Sequence, residues 1–259
     1  MRKPIDYKQY DTKWASLKYA TKGESSTIKS AGCGITCAAM VIASFKDKNV
    51  TPVNTSKWSM DHGYKYLNQG TAYGYFKPQL AEYGIKCEQM NNVNVYHNKS
   101  ASIHKTVKAE LEKGSWIISV MSKGRWTSGG HYILAYALED GYVYINDPAS
   151  TDPNRLKAKL EDWQYEVKYY WKVEVPDSYK NYTPTSLPIT KDSAPEDIEW
   201  LQTKLNNALK DVKGFVPLKV DKQYGLKTIA AVIQFYELQK WETQGLSVGK
   251  NAVTRLAKY

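Results

Sequence analysis

The sequence lacks the features on which several classes of protein depend. Its 259 residues include only 3 cysteines, an odd number that makes no disulfide framework, so we expect a reduced protein made in a cytosol. No run of about 18 apolar residues is present, and the sequence therefore predicts no membrane-spanning helix. The N-terminal residues lack the apolar segment of a secretory signal. Arginine-rich runs and nucleic-acid-binding motifs are also missing, so we expect no nucleic-acid partner.

Motifs for metals and cofactors are missing as well. The chain has no HExxH segment and no CxxC pair, which are common zinc-binding patterns. Cys33, Cys37 and His131 could in principle hold zinc, but no such pattern supports this alternative. We therefore predict no metal and no cofactor.

The chain is instead rich in positive charge and in tyrosine and tryptophan. The net charge is +10, and 21 Tyr and 8 Trp stand against 4 Phe. A basic surface attracts polyanions, which include nucleic acids, acidic membranes and anionic cell-wall polymers. Tyrosine and tryptophan suit apolar but wet grooves, and they also fill cores.

One cysteine has the surroundings of a nucleophile. Cys33 lies between Gly32 and Gly34, which keep bulk away from its sulfur, at the start of a helix that continues through residues 38–45. The positive end of the helix dipole favours the thiolate. The alternative is a small buried cysteine at a tight turn. Cys37, one turn further on, and Cys87, in a short strand, are predicted to be inert.

Periodicity and turn signals predict the other elements of this region. One helix is predicted to follow Thr51-Pro52, and two more are predicted over residues 77–83 and 101–112. The predicted strands cover residues 85–87, 116–121, 131–138, 142–148 and 165–175.

Two of these strands form a hairpin that carries a histidine and an acid. A two-residue turn at Asp140-Gly141 would place His131 and Asp147 on opposite faces of the sheet. A three-residue loop that begins at Glu139 would place them on the same face, within reach of each other. We predict the three-residue loop.

Cys33, His131 and Asp147 then form a set of the papain type. The thiolate attacks, the imidazolium protonates the leaving group, and the carboxylate fixes the histidine tautomer. Asp147 could instead be a simple turn residue before Pro148, and His131 a strand-edge histidine. Asn146 is the second choice for the orienting group.

These segments together resemble the papain-fold cysteine peptidases that include the bacteriocin leader (double-glycine) peptidases. The likeness is strongest to stand-alone relatives in phage and bacterial cell-wall hydrolases, and it covers about residues 5–175. The motifs that carry it are Gly32-Cys33-Gly34, Cys37-Ala38-Ala39-Met40, Gly130-His131-Tyr132-Ile133-Leu134 and Ile145-Asn146-Asp147-Pro148. The resemblance implies an α+β fold in which helices pack on an antiparallel sheet.

The resemblance also implies an oxyanion donor. The family uses a Gln a few residues before the cysteine, whereas this chain has Thr27 six residues before Cys33. Gln9 is the predicted substitute, and an exposed amide is the alternative. The predicted substrate contacts are Gly32, Gly34, Trp126 and Gly130.

The C-terminal part has a different character. Residues 176–195 contain four prolines among polar residues and predict a flexible linker between a catalytic domain, 1–175, and a second domain, 196–259. Three helical patterns follow, and they predict a three-helix bundle. Its segments resemble a peptidoglycan-binding helical module, although Asp221-Lys222 stands where that family has Asp-Gly. The segments are Leu201-Gln202, Leu205-Asn206, 217–235 and Val248-Gly249-Lys250.

The two resemblances imply one function. The expected protein is an endolysin that hydrolyses an amide in the peptide part of peptidoglycan, with peptidoglycan and anionic wall polymers as partners. Without a signal peptide, it would be made in the cytoplasm of a host bacterium and reach the wall after holin-type release. The alternatives are a papain-fold peptidase or acyl transferase that acts on a protein, and a wall-binding protein with an inactive catalytic fold.

Overall fold

The computed structural model describes residues 3–180, 182–184 and 186–259. Residues 1 and 2 of the predicted catalytic domain, and 181 and 185 of the predicted linker, lie outside this description. The chain divides into two compact units. The first is Lys3–Lys180, the second comprises the described residues of 181–259, and each has its own apolar core. No helix in the described ranges has the length and apolar character needed to cross a membrane.

The first unit is built on an antiparallel sheet. The strands are Cys87–Gln89 (β1), Trp116–Met121 (β2), His131–Glu139 (β3), Tyr142–Asn146 (β4), Lys157–Lys159 (β5) and Val167–Val173 (β6). They follow the spatial order β1-β6-β2-β3-β4-β5, and each neighbouring pair is antiparallel. The predicted bounds of β2 are confirmed, whereas β5 was not predicted.

Helices surround this sheet. They are Ile28–Ala31 (α1), Cys33–Phe45 (α2), Pro52–Asp61 (α3), Phe76–Ala81 (α4), Ile103–Glu112 (α5), Pro153–Leu156 (α6), Leu160–Glu166 (α7) and Asp177–Lys180 (α8), with a 3-10 turn at Tyr73–Tyr75. The predicted helices of this region are confirmed within a few residues, and α1, α6, α7 and α8 were not predicted. The mixture of helices with an antiparallel sheet confirms the α+β class.

The sheet is buried on both faces. Side chains alternate along a strand, so Ile118 and Val120 of β2 join the core that contains α2, while Ile117 and Met121 join the core on the other face. All of β2 is therefore apolar or small, and its pattern in the sequence is continuous rather than alternating.

The turn of the β3–β4 hairpin differs from the prediction. Glu139 pairs with Tyr142, so the turn has two residues. Both of them, Asp140 and Gly141, have positive φ angles, 51° and 79°. This is the pattern of a type I′ turn, whose twist matches that of the flanking strands. The predicted three-residue loop is therefore wrong.

A β-bulge nevertheless restores the predicted pairing further along the hairpin. The register shifts by one residue at Tyr136, and beyond it Leu134 pairs with Asn146. This is the pairing that a three-residue loop would have produced. A shift of one residue exchanges the two faces of a strand, so His131 and Asp147 do come to lie on the same side.

The second unit is helical. Its helices are Pro195–Leu209 (α9), Leu226–Leu238 (α10) and Lys250–Leu256 (α11). The stripe of Leu201, Leu205 and Leu209 is fully buried, as its spacing predicts.

The turn at Asp221-Lys222 forms although glycine is absent. Lys222 has a φ of 64°, in the left-handed region where glycine is usual. Gln202 holds the turn, since its Oε1 accepts from the backbone N–H groups of Asp221 at 3.1 Å and Lys222 at 3.0 Å.

Parts of the predicted linker are packed. Tyr179 is buried in the first unit, where its hydroxyl donates to the Lys3 carbonyl at 2.9 Å. Ile189 is fully buried in the second unit and exchanges two backbone hydrogen bonds of 2.9 Å with Val248. The prediction of a flexible coil is therefore wrong at these positions.

Candidate active site

Cys33 is the first residue of α2, and Gly32 is both its N-cap and the C-cap of α1. A Cβ on Gly32 would collide with the Ile28 carbonyl, and one on Gly34 would lie 2.7 Å from the Thr71 side chain. Both positions therefore require glycine for packing. The Cys33 side chain remains partly exposed, at the end of the helix where backbone N–H groups are free to face a ligand.

His131 and Asp147 are directly bonded. Nε2 of His131 lies 2.7 Å from Oδ1 of Asp147. The carboxylate is fully buried, and the histidine is 7% exposed. Because Nε2 is bonded to Asp147, Nδ1 is the ring nitrogen that remains for Cys33. The Cys33 thiol is hydrogen-bonded to the imidazole ring.

The electrostatics of the three groups favour an ion pair. Burial lowers the pKa of His131, but the hydrogen bonds and charges of Asp147 and Cys33 outweigh it and raise the pKa to about 9. Burial raises the pKa of the Cys33 thiol, yet His131 and the backbone N–H groups of Tyr132 and Gly34 bring it below its ordinary value. The arrangement therefore stabilises thiolate beside imidazolium.

Comparison with known proteins identifies the family of the chain. A sequence model of the Peptidase_C39 like family matches residues 7–174, which is more than half of the chain. The chain belongs to the Peptidase_C39 like family. It is thus a cysteine peptidase of the papain-like type.

Three solved structures are similar to this C39-like peptidase, each over 56% of the chain. A double glycine motif protease from an AMS/PCAT transporter, in complex with the leader peptide, is 18% identical, with 84% of that chain covered and a TM-score of 0.37. The peptidase domain of Streptococcus ComA, a bifunctional ABC transporter involved in a quorum-sensing pathway, is 16% identical, with 91% covered and a TM-score of 0.37. A protein described as a C39-like peptidase from Bacillus anthracis is 11% identical, with 90% covered and a TM-score of 0.39. The comparison with curated proteins gives no match.

The other two cysteines of the peptidase lie in unreactive surroundings. Cys37 is fully buried, and burial raises its pKa well above the ordinary value, with the charges of Cys33 and Asp147 adding to the effect. Burial also raises the pKa of Cys87, to about 12.

Gln9 lies between the segments that carry the cysteine and the acid. Its main-chain N–H donates to the Pro148 carbonyl at 2.9 Å, and its Nε2 donates to the Lys29 carbonyl at 2.6 Å. An amide NH₂ has two hydrogens, so one remains for an oxyanion. The role of Gln9 as an oxyanion donor stays a prediction.

The segment before His131 contains two predicted substrate contacts. A Cβ built on Gly130 would meet nothing within 4 Å, so this position leaves open space. Trp126 is 2% exposed, and its Nε1 donates to the Arg155 carbonyl at 2.9 Å. This placement argues against Trp126 as a substrate contact, because the buried ring has no free face for a ligand.

Two basic residues near the acid escaped the sequence analysis. Nη2 of Arg155 lies 2.7 Å from Oδ2 of Asp147. The ammonium group of Lys8 donates to the main-chain carbonyl of Asp147 at 2.7 Å and is paired with Asp6 at 2.9 Å. Lys8 is adjacent in sequence to Gln9, the predicted oxyanion donor, and this was the one sequence signal that could have pointed to Lys8.

Among the described residues, no group of three or more His, Cys, Asp or Glu is arranged to hold a metal ion.

Alkylation should distinguish the three cysteines. With limiting iodoacetamide near neutral pH, we expect the label first on Cys33, because its thiol alone has a lowered pKa. Peptide mass spectrometry measures the order of labelling. His131→Ala should slow the labelling of Cys33, since it removes the imidazolium. Faster labelling of Cys37 than of Cys33 would show that the nucleophile is Cys37, one helical turn further along.

The titration of His131 should be shifted upward. A raised pKa means that the imidazolium persists above the ordinary midpoint of about 6.5 and is lost only as pH rises through about 9. The ring resonances of His131 in NMR spectra measure this midpoint. Asp147→Asn should lower it, because the neutral amide does not stabilise the cation. A wild-type midpoint near 6.5 would contradict the described ion pair.

Proposed function

We propose that this C39-like peptidase hydrolyses an amide bond in the peptide part of bacterial peptidoglycan. Cys33 is the nucleophile, His131 the general acid and base, and Asp147 the group that orients the imidazole. The observation that carries the proposal is the buried 2.7 Å bond between His131 and Asp147, next to a thiol whose pKa is lowered.

The reaction follows from the positions of these groups. The Cys33 thiolate attacks the carbonyl carbon, and the negative charge that develops on the carbonyl oxygen is stabilised by the Cys33 N–H and the Gln9 amide. The imidazolium of His131 then gives its proton to the leaving amine, and a thioester remains. Water attacks the thioester and His131 takes up a proton from that water. The carbon–sulfur bond then breaks, which releases the carboxylic acid and regenerates the Cys33 thiolate beside the imidazolium.

Two features support peptidoglycan as the substrate. The C-terminal helical unit carries the segments that resemble a peptidoglycan-binding module. The net charge of +10 favours association with anionic wall polymers, and salt should weaken it. An endolysin of this kind joins a cysteine peptidase domain to a positively charged, wall-binding unit. In this proposal the protein acts on the wall from within the host cell, after holin-type release.

The second unit contains a cleft that suits a wall saccharide. Its volume is about 420 Å³, and it is lined by Tyr236, Trp241, Gly249, Lys250, Asn251 and Ala252. The rings of Tyr236 and Trp241 meet edge to face, with centroids 5.7 Å apart. Trp241 is 38% exposed, more than any other tryptophan of the chain. An exposed indole beside polar groups offers an apolar face to a sugar ring, and Lys250 offers a charge to a carboxylate.

Digestion of purified peptidoglycan tests the catalytic proposal. The intact protein should release muropeptides with one new amine and one new carboxyl group, detected by mass spectrometry. Cys33→Ala and His131→Ala should each lower the rate by at least about 10³-fold, because nucleophile and base act as a unit. Cys37→Ala is the matched control and should keep nearly full activity. Uncut muropeptides together with cleavage of a protein substrate would favour the protein-directed alternative.

Sedimentation with purified walls tests the cleft. The full chain carrying Cys33→Ala binds without digesting the wall and serves as the reference. Adding Trp241→Ala should weaken binding by about tenfold, because it removes the exposed ring that faces the ligand. Leu226→Ala is the control, since Leu226 is 85% exposed in the same unit but does not line the cleft. Equal sedimentation of the Trp241 variant and the reference would exclude this cleft as the wall-binding site.

A further inference from the structure

We infer that Arg155 is a positioning residue that holds the carboxylate of Asp147 against His131. The inference rests on the proposed role of Asp147 in the reaction. Oδ1 of Asp147 is 2.7 Å from His131 Nε2 and accepts from the Ala149 N–H at 2.8 Å. Oδ2 lies 2.7 Å from Arg155 Nη2, and the carboxylate is fully buried. Oδ1 is therefore hydrogen-bonded, whereas Oδ2 has no hydrogen-bond partner and is held by its ion pair with Arg155. Rotation of the carboxylate would break both contacts.

The guanidinium is itself held in place. Its Nη2 donates to the Trp126 carbonyl at 2.6 Å, and the Trp126 indole donates to the Arg155 carbonyl at 2.9 Å. Arg155 also lies in α6, whose N-cap Asp152 accepts from the Asn154 N–H at 2.9 Å. This reciprocal contact joins the segment that leads to His131 with the segment that follows Asp147. Trp126 thus has a function in the architecture of the site rather than in contact with substrate.

The charge of Arg155 has a second consequence. Burial raises the pKa of Asp147, whereas His131, the Ala149 N–H and Arg155 lower it. A guanidinium is always protonated, so it keeps the carboxylate ionised at acidic pH. The carboxylate also holds the imidazolium in place beside Cys33, and the thiolate depends on that placement. Loss of Arg155 should therefore move the formation of the thiolate to higher pH.

Other charged or titratable groups lie near Asp147 but do not replace Arg155. From β3, α2 and the N-terminal segment these groups are His131, Cys33, Cys37, Lys8 and Asp6. The ammonium group of Lys8 contacts the main-chain carbonyl of Asp147 rather than its carboxylate, and Asp6 balances its charge. Within the described residues, Arg155 is therefore the permanent cation on the carboxylate itself.

The pH dependence of Cys33 alkylation in the full-length protein tests the inference. Arg155→Met should raise the midpoint of the acidic limb by at least about 0.5 pH units, because the carboxylate is no longer held in the orientation that places the imidazolium beside Cys33. Arg155→Lys, which keeps a cation, should raise it less. Arg125→Met is the matched control: Arg125 lies over the same Trp126 ring at 5.3 Å and pairs with Asp162 at 3.5 Å.

The outcomes separate positioning from a general effect on folding. In the Asp147→Asn background, Arg155→Met should cause no further shift, since its effect passes through the carboxylate. Should Arg155→Met fail to fold in thermal melts, Arg155→Gln carries the same expectation. An unchanged midpoint, a shift of equal size in Arg125→Met, or a shift that persists without Asp147 would overturn the inference. Alkylation needs no wall substrate, so these results stand apart from the muropeptide digestion that tests the proposed function.

Discussion

The buried bond between Asp147 and His131 is the interaction on which the site depends. A fully buried carboxylate is costly unless charges and donors compensate it. Here the compensation comes from three separate parts of the chain: His131 at the start of β3, the Ala149 N–H after β4, and Arg155 in α6. The same contacts that stabilise the carboxylate also fix its orientation toward His131. The lowered pKa of the Cys33 thiol therefore depends on how the sheet and its loops close around one acid.

The backbone of the hairpin shows how a local preference and a functional requirement are reconciled. The Asp140-Gly141 turn adopts the type I′ geometry that its sequence favours. Left uncorrected, that turn would place His131 and Asp147 on opposite faces. The bulge at Tyr136 changes the register by one residue further along the hairpin. The turn thus satisfies local sterics, and the bulge supplies the alignment that the site needs.

The three cysteines show that environment, not residue type, decides reactivity. Cys33 has an imidazolium, backbone donors and partial exposure. Cys37 follows one turn later in the same helix but is enclosed by core residues, and Cys87 is buried in β1. Burial without a counter-charge favours the neutral thiol. The helix α2 therefore holds a thiol with a lowered pKa at its end and one with a raised pKa inside the core.

Elements with local signals could be predicted from the amino-acid sequence. The glycines around Cys33, the apolar run of β2 and the leucine stripe of α9 follow from sterics and periodicity, which act over a few residues. Three features became visible only in the folded chain: the register beyond Tyr136, the burial of Trp126 and the contact of Arg155 with Asp147. A one-residue shift leaves local propensity almost unchanged, and partners from distant segments meet only when the sheet and loops have packed.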